Sequence, residues 1–358
     1  MARTFGPNEL VPRCVVRDHL GNVLLSDFDY QLPDDLIAQE PLPDRAGSRM
    51  LVVHRTTGKW EDRLFRDFPS YFAPGDCLAL NDSRVLPSRL YGRREHGTGK
   101  VEIFLTKPIS SDGLTWEALV HPGRKIRTGE RVQISDDLTA EILGRAEFGE
   151  RSVRLHALGD LLAVLERVGH VPLPPYIRRP DTLADRERYQ TVFAREPGSA
   201  AAPTAGLHFT PEILDACRSA GASAAYVTLH VGLGTFQPLR AETLEDVHLH
   251  KESFVVPPET IRALDQARDR AKRVVAVGTT TVRAIESDPA AAETDLFIHP
   301  GFRFRRTNAM LTNFHLPQSS LLVLVCAFGG RELILEAYQY AVAQKYRFYS
   351  YGDCMLII

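Results

Sequence analysis

Residues 274–283 of the chain read VVAVGTTTVR, an unbroken apolar run followed by one glycine and three threonines. The run 274–277 is typical of a strand, because three of its four residues are β-branched valines. Gly278 suits a tight turn, and the pattern predicts a helix over 281–287. A strand, a turn and a helix in this order indicate an α/β fold.

The same alternation extends in both directions along the chain. The pattern predicts a short helix over 34–39 and a buried strand near 51–54. Further on it predicts the strand 226–229 and the helices 258–272 and 331–346. Strands that alternate with helices favour an α/β layer.

A different pattern occupies the interval from residue 77 to residue 155. Short β-type runs separated by glycine, proline and aspartate turns favour a small antiparallel barrel or sandwich. The six runs are 77–80, 101–105, 116–120, 131–134, 140–143 and 153–156. The proline-rich segment 171–176 marks the return to α/β sequence. We therefore predict an N-terminal extension (1–25), an α/β domain (26–76 and 176–358) and an inserted β-barrel domain (77–175).

Composition sets limits on the class of protein. The 358 residues are 44% hydrophobic and 25% charged with a net charge of −2, so nucleic-acid binding would depend on local basic patches. The five cysteines are widely spaced and favour neither a disulfide framework nor a zinc site. The apolar run 321–328 is too short to span a bilayer, and we expect a cytoplasmic protein without membrane contact.

The densest cluster of chemically active side chains is His248, His250 and Glu252. Alternate residues share one face of a strand, so a strand here would bring both imidazoles and the carboxylate together. That arrangement suits a metal ion, acid/base or substrate-binding work, or a structural hydrogen-bond network. The spacing alone leaves all three open.

Two further stretches could approach a ligand. Residues 202–211 place small residues around His208 before a helix start, which suits either backbone contact with a ligand or a tight turn. Residues 278–280 could bind a carboxylate or phosphate through free helix N–H groups, or the threonines could simply cap the helix. The G-x-G of 232–234 is a weak nucleotide signal. His315, beside Asn313, also fits a core histidine.

Basic residues concentrate in the β-rich stretch. They could form a surface that faces RNA, although solvated loops on a small barrel would have the same composition. They are Arg84, Arg89, Arg93, Arg94, Lys100, Arg124, Lys125, Arg127 and Arg131.

Taken together, these segments resemble the S-adenosylmethionine:tRNA ribosyltransferase-isomerase family from residues 27–30 to residues 349–353. The motifs that carry the resemblance include NDSRV (81–85), AVGTTTVR (276–283) and TNFHLP (312–317). The other matching stretches are 75–76, 172–176, 188–191, 201–209, 228–236 and 248–252. The resemblance also implies an α/β-barrel-like catalytic domain with an inserted β-barrel.

The resemblance implies a tRNA substrate with a GUN anticodon that carries 7-aminomethyl-7-deazaguanine at the wobble position. The product would carry epoxyqueuosine, and adenine and methionine would leave. In such chemistry the sulfonium of S-adenosylmethionine acidifies the C5′ hydrogens, a base starts elimination, and the amine of the modified base attacks. S-adenosylmethionine is then a consumed co-substrate, and we expect no metal, no other cofactor and a monomer.

The resemblance supplies candidate residues for both roles. The catalytic candidates, with no step assigned among them, are His208, His230, His248, His250, Glu252 and His315. The substrate-binding candidates are Arg84, Tyr189, Thr204, Gly232, Gly234, Thr235, Gly278, Thr279, Thr280, Arg283 and Asn313. The chain departs from the family pattern at Asn308, where aspartate is common, at Gln318-Ser319, where a lysine usually comes first, and in the short segment 288–293.

Overall fold

The computed structural model describes residues 23–123, 126–146, 149–232, 239 and 241–358. Most of the predicted N-terminal extension lies outside these ranges. The same is true of Gly234 and Thr235 among the predicted binding residues, and of Arg124 and Lys125 among the basic ones.

The described strands and helices alternate as the sequence indicates. The strands are β1 (Arg49–His54), β2 (Lys59–Leu64), β3 (Cys77–Asn81), β4 (Ser83–Val85), β5 (Arg89–Arg94), β6 (Lys100–Pro108), β7 (Thr115–His121), β8 (Arg131–Ser135), β9 (Leu138–Arg145), β10 (Arg151–Ala157), β11 (Glu196–Ser199), β12 (Ser223–Leu229), β13 (Glu252–Val255), β14 (Val274–Val277), β15 (Glu293–Thr294), β16 (Ala309–Asn313) and β17 (Cys354–Ile357). The α-helices are α1 (Leu161–Val168), α2 (Leu183–Arg188), α3 (Pro211–Ser219), α4 (Pro258–Asp269), α5 (Thr279–Glu286), α6 (Ser320–Gly329) and α7 (Arg331–Ala343).

A nine-stranded mixed sheet forms the centre of the α/β part, in the order β15-β13-β12-β3-β14-β16-β17-β1-β2. Its inner strands β12, β3, β14 and β16 run parallel to one another. Strand β14 is buried on both faces: Val274 and Ala276 pack into one core cluster, and Val275 and Val277 into another. Helices α4 to α7 contribute to the first cluster and α3 to the second. Helices therefore cover both faces of the sheet, in agreement with the α/β layer that the alternation of strands and helices predicted.

Strands β5 to β10 close into a six-stranded antiparallel barrel with its own core, to which α1 adds Val164 and Leu165. The predicted α/β fold with an inserted antiparallel β-barrel is confirmed. The large sheet was expected to resemble an α/β barrel. In the described ranges its end strands, β15 and β2, do not pair with each other, so it is an open sheet.

One predicted barrel strand belongs elsewhere. Residues 77–80 lie in β3, fully buried at the centre of the large sheet, because their apolar run is covered on both faces. The sixth barrel strand is β5, which is rich in arginine. We therefore propose that the inserted unit spans about residues 86–168, the barrel together with α1, in place of 77–175.

The apolar run 321–328 lies inside α6, which packs in the core. In the described ranges no helix combines the length and apolarity needed to cross a bilayer. Asn308, one of the departures from the family pattern, accepts a hydrogen bond from the Val274 N–H at 2.8 Å through its side-chain oxygen. An aspartate would supply the same acceptor, so this departure preserves the start of β14.

Candidate active site

A cleft opens at the carboxyl ends of the parallel strands β12, β14 and β16, with about 650 Å³ of empty space. In open α/β sheets this edge is where ligands bind, because loops and helix N-termini meet there. The lining residues are Tyr176, Ala202, Pro203, Thr204, Ala205, Val231, Gly278, Thr279, Thr280, Thr312, Asn313, Phe314, His315, Leu316, Ser319, Leu321, Tyr349 and Ser350.

The start of helix α5 forms one wall of this cleft. Gly278 has a φ of 89°, which a glycine adopts without strain, and no side chain caps the helix. The Thr281 hydroxyl donates to the Val277 carbonyl at 2.6 Å, and the Thr280 hydroxyl accepts from Asn81 at 3.3 Å. The threonines therefore do not cap α5, and its first N–H groups are left for a ligand.

Asn81, at the end of β3, holds this edge of the sheet together. Its side-chain oxygen accepts from the N–H groups of Leu229 and Ser83, both at 3.1 Å, and its amide donates to the Leu229 carbonyl at 3.0 Å. Asn81 was not among the predicted site residues. The sequence feature that could have identified it is its position in the motif NDSRV (81–85), directly after the apolar run 77–80.

Asp82 extends the same arrangement. It accepts from the Thr228 hydroxyl at 2.7 Å and from Arg195 at 2.8 Å. Asn81 and Asp82 together fix the ends of β3 and β12 and the entry to α5, and so give the cleft its shape.

His208 lies behind the cleft in the buried segment 204–208. Its Nε2 is 3.3 Å from Asn313 Nδ2, and that amide also donates to the carbonyls of Tyr349 and Asp353. The amide orientation makes His208 Nε2 an acceptor, so Nδ1–H donates to Ser48 Oγ at 3.0 Å. Burial lowers the pKa of His208 to about 4.

His315 is the one predicted catalytic residue that lines the cleft. Its ring Nε2 is 2.8 Å from the Thr312 hydroxyl. Its backbone N–H donates to Tyr338 Oη at 3.1 Å, and its backbone carbonyl accepts from Tyr30 Oη at 2.5 Å. Burial lowers its pKa to about 3. His315 is thus a neutral imidazole at the wall of the cleft, with its backbone held by two tyrosines and its ring in contact with Thr312.

The two lowered histidine pKa values predict an acid-sensitive fold. In the unfolded chain both histidines take up protons near pH 6.5, whereas in the folded chain they do so only near pH 4 for His208 and pH 3 for His315. The unfolded state binds more protons in this window, so the free energy of unfolding falls as the pH falls. We expect a loss of roughly 2–4 kcal/mol between pH 7 and pH 5.

Urea denaturation at both pH values measures this loss. The His208→Gln and His315→Gln variants should each lose less stability on acidification than the parent chain. His299→Gln, at an exposed histidine, is the matched control and should follow the parent. An equal loss of unfolding free energy between pH 7 and pH 5 in the parent chain and in all three variants would contradict the lowered pKa values of His208 and His315.

The strand that would bring His248, His250 and Glu252 onto one face is not formed, because β13 begins only at Glu252. His248 is exposed, His250 is half-buried and Glu252 is buried, so the three side chains do not share one face. No group of three or more histidine, cysteine, aspartate or glutamate side chains in the described residues could hold a metal ion.

Glu252 instead forms a buried ion pair. One carboxylate oxygen accepts from Arg283 Nη1, and the other accepts from the Gly232 N–H at 2.9 Å. Arg283 also donates to the Leu296 carbonyl at 3.1 Å. We propose that Glu252, Arg283 and Gly232 position residues 230–232, directly after β12, in place of the catalytic and binding roles predicted for them.

The remaining predicted residues divide between separate places. Thr204 lines the cleft, whereas Arg84 and Tyr189 line another cavity beside Glu166, to which Arg84 is ion-paired at 2.8 Å. His230 faces a cavity between the barrel and the large sheet. Several of the basic barrel residues are paired with acids, which weakens the prediction of a continuous RNA-facing patch: Arg89 with Glu102, Arg94 with Glu130 and Arg131 with Glu141.

Known proteins resemble the chain over nearly its whole length. The family model for queuosine biosynthesis proteins matches residues 25–357. An S-adenosylmethionine:tRNA ribosyltransferase-isomerase of Solibacter usitatus is 59% identical over 354 residues, covering 93% of this chain and 99% of that protein. The enzyme of the same name from Syntrophotalea carbinolica is 49% identical over 342 residues with the same coverage.

A solved structure agrees with these relatives. The crystal structure of S-adenosylmethionine tRNA ribosyltransferase from Thermotoga maritima matches with a TM-score of 0.52 and 39% identity, over 93% of this chain and all of that one. The cleft, the uncapped helix start and the buried histidines thus lie on a scaffold shared with these enzymes. The chain belongs to the queuosine biosynthesis protein family and is an enzyme of the S-adenosylmethionine:tRNA ribosyltransferase-isomerase class.

Proposed function

We propose that the chain transfers the ribosyl group of S-adenosylmethionine to 7-aminomethyl-7-deazaguanine at the wobble position of tRNA with a GUN anticodon, and isomerises it. The product is epoxyqueuosine, and adenine and methionine are released. The enzyme acts as a monomer without a metal or other cofactor. The observation that carries this proposal is the convergence of the uncapped α5 start and the neutral His315 on one cleft.

The cleft suits the methionine half of S-adenosylmethionine. Its carboxylate would bind the free N–H groups at Thr279 and Thr280, where the helix dipole favours a negative charge. The tyrosine rings of Tyr176 and Tyr349, 4.6 Å apart, offer π-faces to the sulfonium cation. Asn313 Oδ1 is buried without a hydrogen-bond partner in the described residues, so it can accept from a donor on the ligand.

His315 is the residue we place nearest the reacting ribose. A base must remove a C5′ proton, and only an unprotonated imidazole can do so. Burial keeps His315 neutral, and its contact with Thr312 fixes the ring. The low pKa makes it a weak base, but the adjacent sulfonium lowers the pKa of the C5′ hydrogen as well.

Removing the hydroxyls at the α5 start should weaken donor binding. In the proposed complex the Thr279 and Thr280 hydroxyls, which line the cleft, also donate to the carboxylate beside the backbone N–H groups. The Thr279→Val/Thr280→Val variant keeps the N–H groups but loses both hydroxyl donors and the contact with Asn81. At about 1 kcal/mol for each lost hydrogen bond, the KM for S-adenosylmethionine should rise roughly tenfold. Initial rates at saturating modified tRNA measure this change.

Thr281→Val is the matched control for that variant. Thr281 lies in the same turn, but its hydroxyl is bound to the Val277 carbonyl inside the helix. Its KM for S-adenosylmethionine should stay within about twofold of the parent value. An unchanged KM in the Thr279/Thr280 variant would argue against carboxylate binding at this helix start.

Mass spectrometry of the tRNA nucleosides tests the proposed product. After incubation with S-adenosylmethionine, tRNA that bears the aminomethyl base and a GUN anticodon should gain the mass of the transferred and isomerised ribosyl group. The same base in a different anticodon tests the sequence requirement. Transfer of a methyl group, or no change in mass, would contradict the proposal.

A further inference from the structure

A second cavity lies where the inserted barrel meets the large sheet, with about 640 Å³ of empty space. The barrel contributes Glu117 on β7 and Glu150 just before β10, and the α/β part contributes His230 and His250. An ion pair between Lys107 and Glu293, at 2.5 Å, joins the two parts beside it. Both domains are therefore needed to build this cavity.

The barrel wall of this cavity carries two carboxylates, Glu117 and Glu150, and one ammonium, Lys107, which is paired with Glu293. Lys251 lines the cavity from the α/β side.

The Thr106 hydroxyl lies 2.9 Å from the backbone carbonyl of Glu117 and 3.0 Å from the Glu150 carboxylate, and its single hydrogen can donate to either oxygen. Thr106 thus links the two segments that carry the glutamates. Burial raises the pKa of Glu150 and the charge of Glu117 acts in the same direction, whereas the hydrogen bond with Thr106 and the charges of His250 and Lys107 oppose the rise without cancelling it. Two carboxylates that repel each other in a half-buried place are stabilised when a cation enters between them.

His230 adds a neutral acceptor on the opposite wall. Its Nδ1 is buried and has no hydrogen-bond partner within the described part of the chain. Burial lowers the pKa of His230, although the charges of Asp82 and Glu196 oppose this. Gly198 leaves room for the ring, since a Cβ there would lie 3.1 Å from His230 Cε1.

This second cavity adjoins the cleft at the ends of the strands. His230 and Val231 are consecutive residues, and one faces the second cavity while the other lines the cleft. A small intervening pocket shares His250 and Glu252 with the second cavity and Leu321 with the cleft. A group bound in the second cavity would thus lie beside a donor bound in the cleft.

We propose that the second cavity receives the aminomethyl group of the acceptor base as an ammonium, held by Glu117 and Glu150 on its barrel wall. An alkylammonium has three N–H donors and carboxylates accept from them, and His230 Nδ1 is a further acceptor in the lining of the same cavity. The inference rests on the proposed function, because it takes the acceptor to be an aminomethylated base in tRNA. It assigns the barrel a direct part in recognising that base.

Binding of two tRNAs to the full chain tests this assignment. One tRNA carries 7-aminomethyl-7-deazaguanine at the wobble position, and the other is the same tRNA with guanine there. The parent chain should bind the aminomethyl tRNA about tenfold more tightly, the worth of one charge-assisted hydrogen bond. Glu150→Gln and Glu117→Gln should each remove most of that preference while leaving the Kd for the guanine tRNA unchanged.

Glu141→Gln is the matched control, because Glu141 lies on β9 of the same barrel and pairs with His156 at 2.9 Å outside the cavity. It should keep the tenfold preference. If Glu150→Gln and Glu117→Gln also keep it, the ammonium does not bind here and the proposal is overturned.

A separate turnover assay distinguishes the two proposals. If the parent chain forms product and the Glu150→Gln variant keeps the full preference for the aminomethyl tRNA, only the proposed role of the second cavity is overturned. If the parent chain prefers the aminomethyl tRNA, the Glu150→Gln variant loses that preference and no epoxyqueuosine forms, the proposed function is overturned and the role of the second cavity is supported.

Discussion

Replacing Arg283 with methionine is expected to lower the free energy of unfolding by about 3–5 kcal/mol. Arg283 and Glu252 are each about 5% exposed, so the variant would leave a buried carboxylate without its cation. The same carboxylate accepts from the Gly232 N–H, so its disturbance would also loosen residues 230–232, of which His230 faces the second cavity and Val231 lines the cleft. Urea denaturation at pH 7 measures the loss.

Two comparisons separate this effect from a general loss of charge. Arg218→Met breaks an exposed pair with Asp215 and should cost less than about 1 kcal/mol. Adding Glu252→Gln to Arg283→Met should restore part of the stability, because the buried charge is then gone. A loss below 1 kcal/mol for Arg283→Met would mean that the pair does not support the fold.

Replacing His315 with glutamine should lower kcat by about 10²- to 10⁴-fold, the range for loss of a general base. Glutamine keeps a polar group near the Thr312 hydroxyl but does not take up a proton at neutral pH. The KM for S-adenosylmethionine should change little, since the helix start that binds the carboxylate is untouched. Steady-state rates of adenine release measure both constants.

His299→Gln is the control for His315→Gln, because His299 is exposed and its ring nitrogen contacts the carbonyl of the neighbouring Pro300, outside the lining of the cleft. It should retain the parent kcat. A His315→Gln enzyme with kcat within threefold of the parent would show that another residue is the base, and His230, with its unpartnered Nδ1, would then be the first alternative.

The fold was predictable where one rule of patterning applied. The strand 274–277 coincides with β14 because a parallel strand covered on both faces needs an unbroken apolar run. The helix after it begins at Thr279 rather than residue 281, because Gly278 completes the turn alone. The strand 77–80 was correctly recognised as a strand but assigned to the wrong sheet, since its burial on both faces was not weighed.

Other elements carried a weaker signal. Strand β5 reads RLYGRR, and its outward side chains are charged, so little alternation marks it as part of a barrel. Helix α6 is apolar on all sides because it is buried all round, and its residues show no amphipathic stripe.

The candidate site was predictable only in part. The family motifs drew attention to the α5 start, Asn313 and His315, and the structure places all of them in the lining of one cleft. The alternation in 248–252 misled because it presumed a strand where the chain is irregular. Glu117 and Glu150 line the same cavity as His230 only because the two domains pack together, and no local sequence pattern predicts that packing.

The most direct test of the proposed activity is the release of adenine and methionine from S-adenosylmethionine by the parent chain. The assay compares tRNA that bears 7-aminomethyl-7-deazaguanine with the same tRNA that bears guanine. Equal amounts of adenine and methionine, released only with the aminomethyl tRNA, are the predicted result. Folded, tRNA-binding protein that releases neither product, or that releases both equally with the guanine tRNA, would contradict it.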